Sequence, residues 1–385
     1  MSNAAIILLV TVAVLSIQAL VVYHFGRANV AGAALVRQVE LARGAPSLRW
    51  TGWKPFYLVS RTPASADGLV VSFDLAPVDG RPLPLFKAGQ HVNVRVELGP
   101  EELVRCYSLS GSPYAEGYRI SVKQAPLPRR VSGFLLEHFI VGAQIDIRAP
   151  AGEFTLDPLS TWPCALIAGG VGVTPIWSML LACAQANPER AIWLFYGVRD
   201  TADDVLLAET PALLQRMPNL TVVRCYAGAS GKLPTTIRSG FITADLVLSQ
   251  VKAPEAQFYI CGPAGMMESL VPALRAQGVS EDRLHFETFG PSSLNNIEAV
   301  AAPPAQVRFD KSGKTATWTS GNLLDLADQQ GVPIESSCRS GQCGTCETAV
   351  VSGSFAYLSK PSYTPEKGKC LLCVSRPDGD LELQA

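Results

Sequence analysis

The sequence predicts a multidomain chain: an N-terminal transmembrane helix, a small antiparallel β-barrel, a parallel-sheet α/β domain and a short C-terminal domain built around a cysteine loop. Three observations predict it. A run at 4–22 carries no charged side chain, short alternating segments give way to a strand–helix alternation near Cys164, and Cys338, Cys343, Cys346, Cys370 and Cys373 crowd the last part of the chain. With 385 residues there is length for two or three domains, each with its own core. An apolar content of 48% and a formal net charge of −1 exclude a disordered chain and leave no basic excess for nucleic acid.

The first run reads AAIILLVTVAVLSIQALVV and is long enough to cross a hydrocarbon core of about 30 Å as a helix. A cleaved signal peptide would want a positive n-region and a shorter apolar stretch, and only Met1, Ser2 and Asn3 precede this one. Arg27, Arg37, Arg43, Arg49 and Lys54 follow it, against the single acid Glu40. That flank predicts a single-pass protein of the inner membrane, touching lipid through the helix, with its body in the cytoplasm. The expected bounds are 1–27 for the anchor and 28–52 for a connector. The clustered cysteines agree with this placement, because they read as a metal site in a reducing compartment rather than a disulfide framework.

Over 53–158 the segments FYLVS, LVVSFDLAP, HVNVRVEL, RCYSLSG, YRISVKQ and QIDIRAP alternate between Gly, Pro and Asp breaks, which predicts a small barrel. One helix, GFLLEHF, interrupts them. Over 159–291 the strands CALIAGG, AIWLFYGV, LTVVRCY and FYICG alternate with PIWSMLLACAQ, VLLAETPALLQRM and MMESLVPALRAQ, the pattern of a doubly wound parallel sheet. The segment 292–305 reads as a linker, small, polar and proline-bearing. The last domain, 306–385, carries strands QVRFD, ATWT, ETAVVSG and LLCVSRP and helix NLLDLADQQ.

Its loop, CRSGQCGTC, has the spacing C-x4-C-x2-C, with Cys373 further on. This is the plant-type arrangement for a [2Fe–2S] cluster, four thiolates on two irons. Ser340, Gly341, Gly344 and Thr345 keep the loop small, so that its N–H groups can aim at the sulfurs. The expected metal ligands are Cys338, Cys343, Cys346 and Cys373, with Cys370 spare. Zinc stays open on spacing alone, because Cys370 and Cys373 form a second C-x2-C, although C-x4-C and the glycine-rich loop do not suit a zinc knuckle.

The segment RCYSL puts Arg105 and Tyr107 on one face of a strand. An arginine neutralises a flavin's phosphate, an aromatic covers its ring, and the Ser108 hydroxyl suits a hydrogen bond near N5. Taken alone, these are ordinary surface residues of a strand. Val131 and Ser132 open a helix, and helix N-termini bind phosphate. In AGGVGVTP, Thr174 suits an N-cap and Pro175 the first helical position, and the glycines admit a pyrophosphate. Alone, this too reads equally as a tight strand–helix turn. CGPAGMM ends another strand, where ligands of open α/β sheets bind. Its Cys261 suits either an approach to a nicotinamide ring or a buried structural thiol. His24, His91, His138 and His285 fall in no catalytic pattern and are expected to be structural or exposed.

Taken in order, RCYSLS at 105–110, GGVGVTP at 169–175, YGVRD at 196–200, CGPAGMM at 261–267 and the cysteine loop resemble the ferredoxin–NADP reductase superfamily. More narrowly, residues 53–385 resemble the flavin–NAD–[2Fe–2S] reductases that feed oxygenases. The resemblance implies a flavin-binding barrel at 53–158, an NAD(P)-binding domain at 159–291 and a β-grasp ferredoxin domain at 306–385. It implies that Arg105, Tyr107 and Ser108 hold the flavin, that Val131 and Ser132 meet its phosphates and that Phe289 lies at its edge. Gly170, Thr174, Gly262 and Pro263 would hold NAD(P)H, with Ser108 and Cys261 nearest the reacting atoms. VSGFLLEHF and HFETFGP look like flavohaemoglobin-type reductases, which implies FAD ahead of FMN, and the family implies NADH ahead of NADPH. Arg199 and Arg224 are the candidates for a 2′-phosphate, each equally a surface charge. The implied activity is a membrane-anchored NAD(P)H reductase passing electrons through flavin and cluster to an oxygenase or hydroxylase. A quinone or another membrane redox complex is the alternative acceptor.

Overall fold

Alternation in the first part of the chain builds a closed antiparallel sheet. The computed structural model describes residues 50–385 except 100, 125–129, 207–208, 229–233, 235–236, 290–302, 337, 342, 360 and 362. Strands β1 (Lys54–Pro63), β2 (Val70–Pro77), β3 (His91–Leu98), β4 (Glu101–Ser108), β5 (Tyr118–Lys123) and β6 (Gln144–Ile147) pair antiparallel in the order β4-β3-β6-β1-β2-β5. The edges meet where Leu109, just past β4, bridges Ile120 of β5, and the sheet becomes a barrel. Val92, Val94 and Val96 of β3 join Phe56, Phe73, Leu75 and Ile147 in its interior. The two-residue period then turns His91, Asn93 and Arg95 to the outer face. Helix α1 (Arg130–His138) plugs the barrel with Val131 and Leu135, and Phe139 follows it into the same core.

The second unit is a parallel sheet. Its strands are β7 (Cys164–Gly169), β8 (Ile192–Val198), β9 (Leu220–Tyr226), β10 (Ile237–Ser239), β11 (Gln257–Gly262) and β12 (Leu284–Thr288), in the order β10-β9-β8-β7-β11-β12. Helices α2 (Val173–Ala186), α3 (Thr210–Arg216), α4 (Ala244–Gln250) and α5 (Ala264–Ala276) connect them. Both faces are covered: Leu166, Ala168 and Leu194 meet Ile176 and Trp177 of α2, while Ala165, Ile167 and Phe195 meet Val247 of α4 and Leu270 of α5. The strand order reverses between β7 and β11, which makes a switch-point crevice at their carboxyl ends.

The third unit wraps a sheet around a helix, as a β-grasp does. Strands β13 (Ala305–Phe309), β14 (Lys314–Trp318), β15 (Glu347–Tyr357), β16 (Lys369–Leu371) and β17 (Ser375–Leu383) run in the order β14-β13-β17-β15-β16, with β13 and β17 parallel. Helix α6 (Leu323–Gln329) is capped by Asn322, whose side chain accepts from the Asp325 N–H at 2.8 Å. Leu323, Leu324 and Ala327 of α6 pack on Val307, Phe309 and Leu383.

Specific contacts tie the barrel to both neighbours. Ser178 Oγ of α2 donates to the Gly111 carbonyl at 2.8 Å, and Lys123 of β5 pairs with Asp203 at 2.9 Å. On the other side Arg148 pairs with Glu335 at 3.3 Å. The guanidinium groups of Arg148 and Arg95 lie 4.5 Å and 4.8 Å from the ring centroid of Trp53, a cation–π stack that holds Arg148 in place.

The three sheets fit the barrel, doubly wound sheet and β-grasp domain expected from the sequence. The N-terminal transmembrane helix is corrected. Among the described residues no helix is long and apolar enough to cross a membrane. The longest, Val173–Ala186, has 14 residues, and at about 1.5 Å per residue it falls well short of a hydrocarbon core. The run at 4–22 lies outside the described residues.

Replacing Ser178 by Ala is expected to destabilise the protein by about 1–3 kcal/mol, because it orphans the Gly111 carbonyl beneath α2. The midpoint of urea unfolding, compared with wild type, measures this.

Candidate functional site

Two glycine turns meet at the switch point. The first leaves β7 through Gly169 and passes Gly170, at φ +51°, into a short 3-10 turn at Gly170–Gly172. A Cβ on Gly172 would collide with the Cys261 carbonyl, and one on Gly169 would lie 2.5 Å from Met266 Sδ and 2.8 Å from Pro263 Cδ. A Cβ on Gly262 would lie 2.8 Å from Met266 Sδ and 3.2 Å from the Gly169 nitrogen. Close packing therefore favours glycine at Gly169, Gly172 and Gly262, whereas Gly265 meets nothing within 4 Å. Thr174 was expected at the N-cap, but α2 begins at Val173 with Gly172 in the cap position. The Thr174 hydroxyl instead donates to the Val171 carbonyl at 3.0 Å. A cleft of about 790 Å³ opens over this crevice, lined by Gly170, Pro263, Gly265, Arg199, Phe241 and Thr243 among others.

A second cavity, of about 260 Å³, adjoins it, and Lys123 lines both. Its wall is drawn from all three domains. Arg105, Tyr107 and Ser108 come from β4, Val171 and Thr174 from the glycine turn, Glu287, Thr288 and Phe289 from the end of β12, and Cys338 from the cysteine loop. Two of the expected flavin residues stand elsewhere: Val131 is buried in the barrel core and Ser132 is half-buried in the first turn of α1. Cys261 lies fully buried in the α/β core between Ala168 and Glu287 on the neighbouring strands. Burial, and then the charge of Glu287, pushes its thiol well above the ordinary range, so it stays protonated.

His91 and Glu287 face each other across the cavity wall, with Nδ1 and Oε1 3.9 Å apart and both side chains buried. Their spacing resembles an ion pair, but desolvation decides otherwise. Burial lowers the His91 pKa and pushes that of Glu287 up to about 8, with Cys338 adding to the latter shift. At neutral pH the pair is an uncharged imidazole and a protonated carboxyl. Among the described residues His91 Nε2 and Glu287 Oε2 have no hydrogen-bond partner. Orphaned polar atoms on a cavity wall suit a ligand with ring heteroatoms, and a flavin fits them.

In the cysteine loop the thiols stand in two pairs, Cys338 with Cys343 and Cys346 with Cys373. Hydrogen-bond donors surround them: the Ser340 N–H reaches Cys338 Sγ at 3.5 Å, the Thr345 hydroxyl reaches Cys343 Sγ at 3.1 Å, and the Gly341 N–H serves Cys373. A Cβ on Gly344 would strike the Tyr363 ring at 2.5 Å, so the loop closes tightly only with glycine there. Two pairs suit two irons with two thiolates each. Cys370 is fully buried in the hydrophobic core of the domain, on β16.

Sequence reasoning passed over four residues of this site. Lys123 links the two cavities and Asp203. His91, expected to be structural or exposed, is on the flavin cavity wall. Asn93 donates from Nδ2 to the Cys343 carbonyl at 3.4 Å, and Cys106 lies beside Cys338. The available signal was HVNVRVEL itself, where polar residues alternate with valines on an otherwise apolar strand. The two arginines considered for a 2′-phosphate are both paired. Arg199 lies between Asp203 at 3.2 Å and Asp67 at 3.5 Å, and Arg224 is held by Asp204 at 2.8 Å and Thr210 at 2.8 Å.

Comparison with known proteins gives two family matches. Residues 166–271 match the oxidoreductase NAD-binding domain, and residues 308–378 match the 2Fe-2S iron-sulfur cluster binding domain. A flavohemoprotein of Rhizobium meliloti (strain 1021) is 34% identical over 255 residues, which is 63% of this chain and 62% of that protein. The chain thus spans about three fifths of the length of this curated relative. Phthalate dioxygenase reductase, described as a modular structure for electron transfer from pyridine nucleotides to [2Fe–2S], is 27% identical with a TM-score of 0.57 over 87% of this chain and 98% of that one. The FAD/NAD-binding domain of a nitric oxide dioxygenase from Vibrio cholerae is 29% identical with a TM-score of 0.56, over 62% of this chain and 99% of that one.

Replacing Cys373 by Ser is expected to abolish cluster assembly, whereas Cys370→Ser retains it. Iron content and visible thiolate-to-iron absorption of the two purified variants distinguish them. A second expectation concerns pH. The folded carboxyl of Glu287 holds its proton up to about pH 8, against an ordinary value of 4.5. Between those values the native state binds a proton that the unfolded state has released, so stability falls as pH rises through the window and levels off above it. With about 1.4 kcal/mol per pKa unit, the loss is on the order of a few kcal/mol. Glu287→Gln is expected to flatten the dependence of the thermal midpoint on pH between 5 and 9.

Proposed function

We propose that this chain, a reductase of the flavin–NAD–[2Fe–2S] type by its two matched domains, draws electrons from NADH and delivers them singly to an oxygenase or hydroxylase. The cofactors are FAD and a [2Fe–2S] cluster, with NADH as reductant. One observation carries the reading: a single cavity wall holds Arg105, Tyr107 and Ser108, the nucleotide turn at Val171 and Thr174, and the cluster cysteine Cys338. When bound, a flavin accepts a hydride from a nicotinamide and gives up electrons one at a time, which matches a one-electron cluster to a two-electron donor.

The chain's own residues do the positioning. The glycine turns at Gly169–Gly172 and Gly262 let the backbone close on a dinucleotide at the switch point. Lys123, fixed by Asp203, stands between the dinucleotide cleft and the flavin cavity. Glu287 keeps a proton at its carboxyl beside that cavity at neutral pH. A 2′-phosphate needs a cation of its own, and both Arg199 and Arg224 are engaged by carboxylates, which supports NADH over NADPH. Likeness to phthalate dioxygenase reductase over nearly all of that protein supports an oxygenase as acceptor. The cysteine clustering supports a cytoplasmic place for the three domains.

Anaerobic titration with NADH is expected to bleach the flavin absorption and then produce a rhombic reduced [2Fe–2S] signal by EPR. NADPH is expected to be at least about tenfold less effective in kcat/KM, about 1.4 kcal/mol of discrimination. Absence of the EPR signal from iron-replete protein would falsify the reading. Faster reduction of a quinone than of any oxygenase component would move the acceptor assignment.

A further inference from the structure

One polar pair joins the outer wall of the barrel to the cysteine loop. Asn93 of β3 and Cys106 of β4 are directly cross-strand. Cys106 Sγ lies 2.9 Å from Asn93 Oδ1, and Asn93 Nδ2 donates to the Cys343 carbonyl at 3.4 Å. The Cys106 thiol is also within hydrogen-bonding contact of the Cys338 and Cys343 sulfurs. Cys106 and Cys338 share the wall of the flavin cavity. Asn93 is 3% exposed, although it faces away from the barrel interior, because the cysteine loop covers it.

A thiol has one proton to give. Its claimants are the Asn93 amide oxygen and the ligand sulfurs. A charge-assisted hydrogen bond is roughly twice as strong as a neutral one, so a metal-bound thiolate outcompetes the amide. Of the two sulfurs, Cys343 already receives the Thr345 hydroxyl at 3.1 Å and does not line the flavin cavity, whereas Cys338 shares that wall with Cys106. Cys338 is therefore the partner through which Cys106 bears on the cavity.

We propose that Cys106 is a positioning residue for the cluster: its thiol donates a hydrogen bond to the Cys338 sulfur, raises the cluster's reduction potential and seats that sulfur against the flavin cavity, while Asn93 clamps the loop through the Cys343 carbonyl. Hydrogen bonds to cluster sulfurs favour the more negatively charged reduced form, which is why they raise the potential. The inference rests on the proposed [2Fe–2S] site at Cys338, Cys343, Cys346 and Cys373.

The test compares full-length wild type, Cys106→Ala and Cys106→Ser by EPR-monitored redox titration. Cys106→Ala is expected to lower the reduced-to-oxidised ratio of the cluster at fixed potential by about tenfold, about 59 mV for one electron. Cys106→Ser keeps a donor and is expected to restore the wild-type potential or exceed it. In wild type, resonance Raman Fe–S stretching bands are expected to shift on exchange into D2O, by a component that Cys106→Ala lacks. This holds the inference to account on the unmutated protein too, since wild-type bands insensitive to D2O would overturn it even if the alanine variant fails to load. Equal potentials in all three proteins would overturn it. So would loss of the cluster in Cys106→Ser, which would make Cys106 a ligand. If wild type itself shows no [2Fe–2S] signal, it is the functional reading that fails. An intact wild-type signal with no effect of Cys106 sinks this inference alone.

Discussion

The molecule depends on Cys338 standing on the wall of the flavin cavity. Electrons reach a cluster only if the protein holds its sulfur close to their source, and here one wall carries Cys338 together with Arg105, Tyr107 and Ser108, the residues that would hold a flavin. That constraint dictates the outer face of β3 and β4. An ordinary barrel turns a solvated polar face outward. Here the outward residues His91, Asn93 and Ser108 are as buried as the core valines between them, because the neighbouring domains cover them. Those residues must be polar to meet a polar loop, and small or planar to let it come close. The Arg148–Glu335 pair, stiffened by the stack on Trp53, holds the rim of the same contact.

The opposite flank of the barrel is held by a different device. Lys123 and Arg199 converge on the buried carboxylate of Asp203, and Asp67 shares Arg199. Taking Asp203 out of water is costly, and two cations offset the cost. In this way Lys123, on a barrel strand, becomes a fixed point on the path between two cavities. The same network engages Arg199, so this candidate for a 2′-phosphate is tied to the joint between domains. At the switch point the Gly172 backbone closes on that of Cys261, which places the dinucleotide cleft directly above the turn that leads to Thr174.

Much of this architecture was legible because it is periodic. Alternation in HVNVRVEL and YRISVK marked barrel strands, and continuous apolar strands such as CALIAGG marked a parallel sheet buried on both faces. The C-x4-C-x2-C loop was legible because local spacing alone decides whether thiolates can meet. What stayed hidden is non-local. Cys106 was visible inside RCYSL, but its closeness to Cys338 comes from the docking of domains far apart in the chain. His91 looked like a residue without a role, because its partner Glu287 arrives on a strand of another sheet. The cap was misplaced by two residues, since Gly172 in the 3-10 turn, rather than Thr174, takes the cap position.

The buried polar atoms of the cavity close the argument. A hydrogen-bonding group taken out of water without a partner costs roughly 1–3 kcal/mol, and among the described residues His91 Nε2 and Glu287 Oε2 both stand in that condition. A bound flavin would supply the partners that these two groups on the cavity wall lack. Apolar replacements would stabilise the protein alone, but they would leave a ring ligand without its partners. The neutral state of the pair sharpens the point. A charged His–Glu pair would satisfy itself and need no ligand, whereas an uncharged imidazole and carboxyl, 3.9 Å apart, are left free to give and accept hydrogen bonds across the cavity. The desolvation that neutralises them comes from the same domain packing that brings Cys338 to the wall, so the cavity's readiness for a flavin and its access to the cluster have one physical cause.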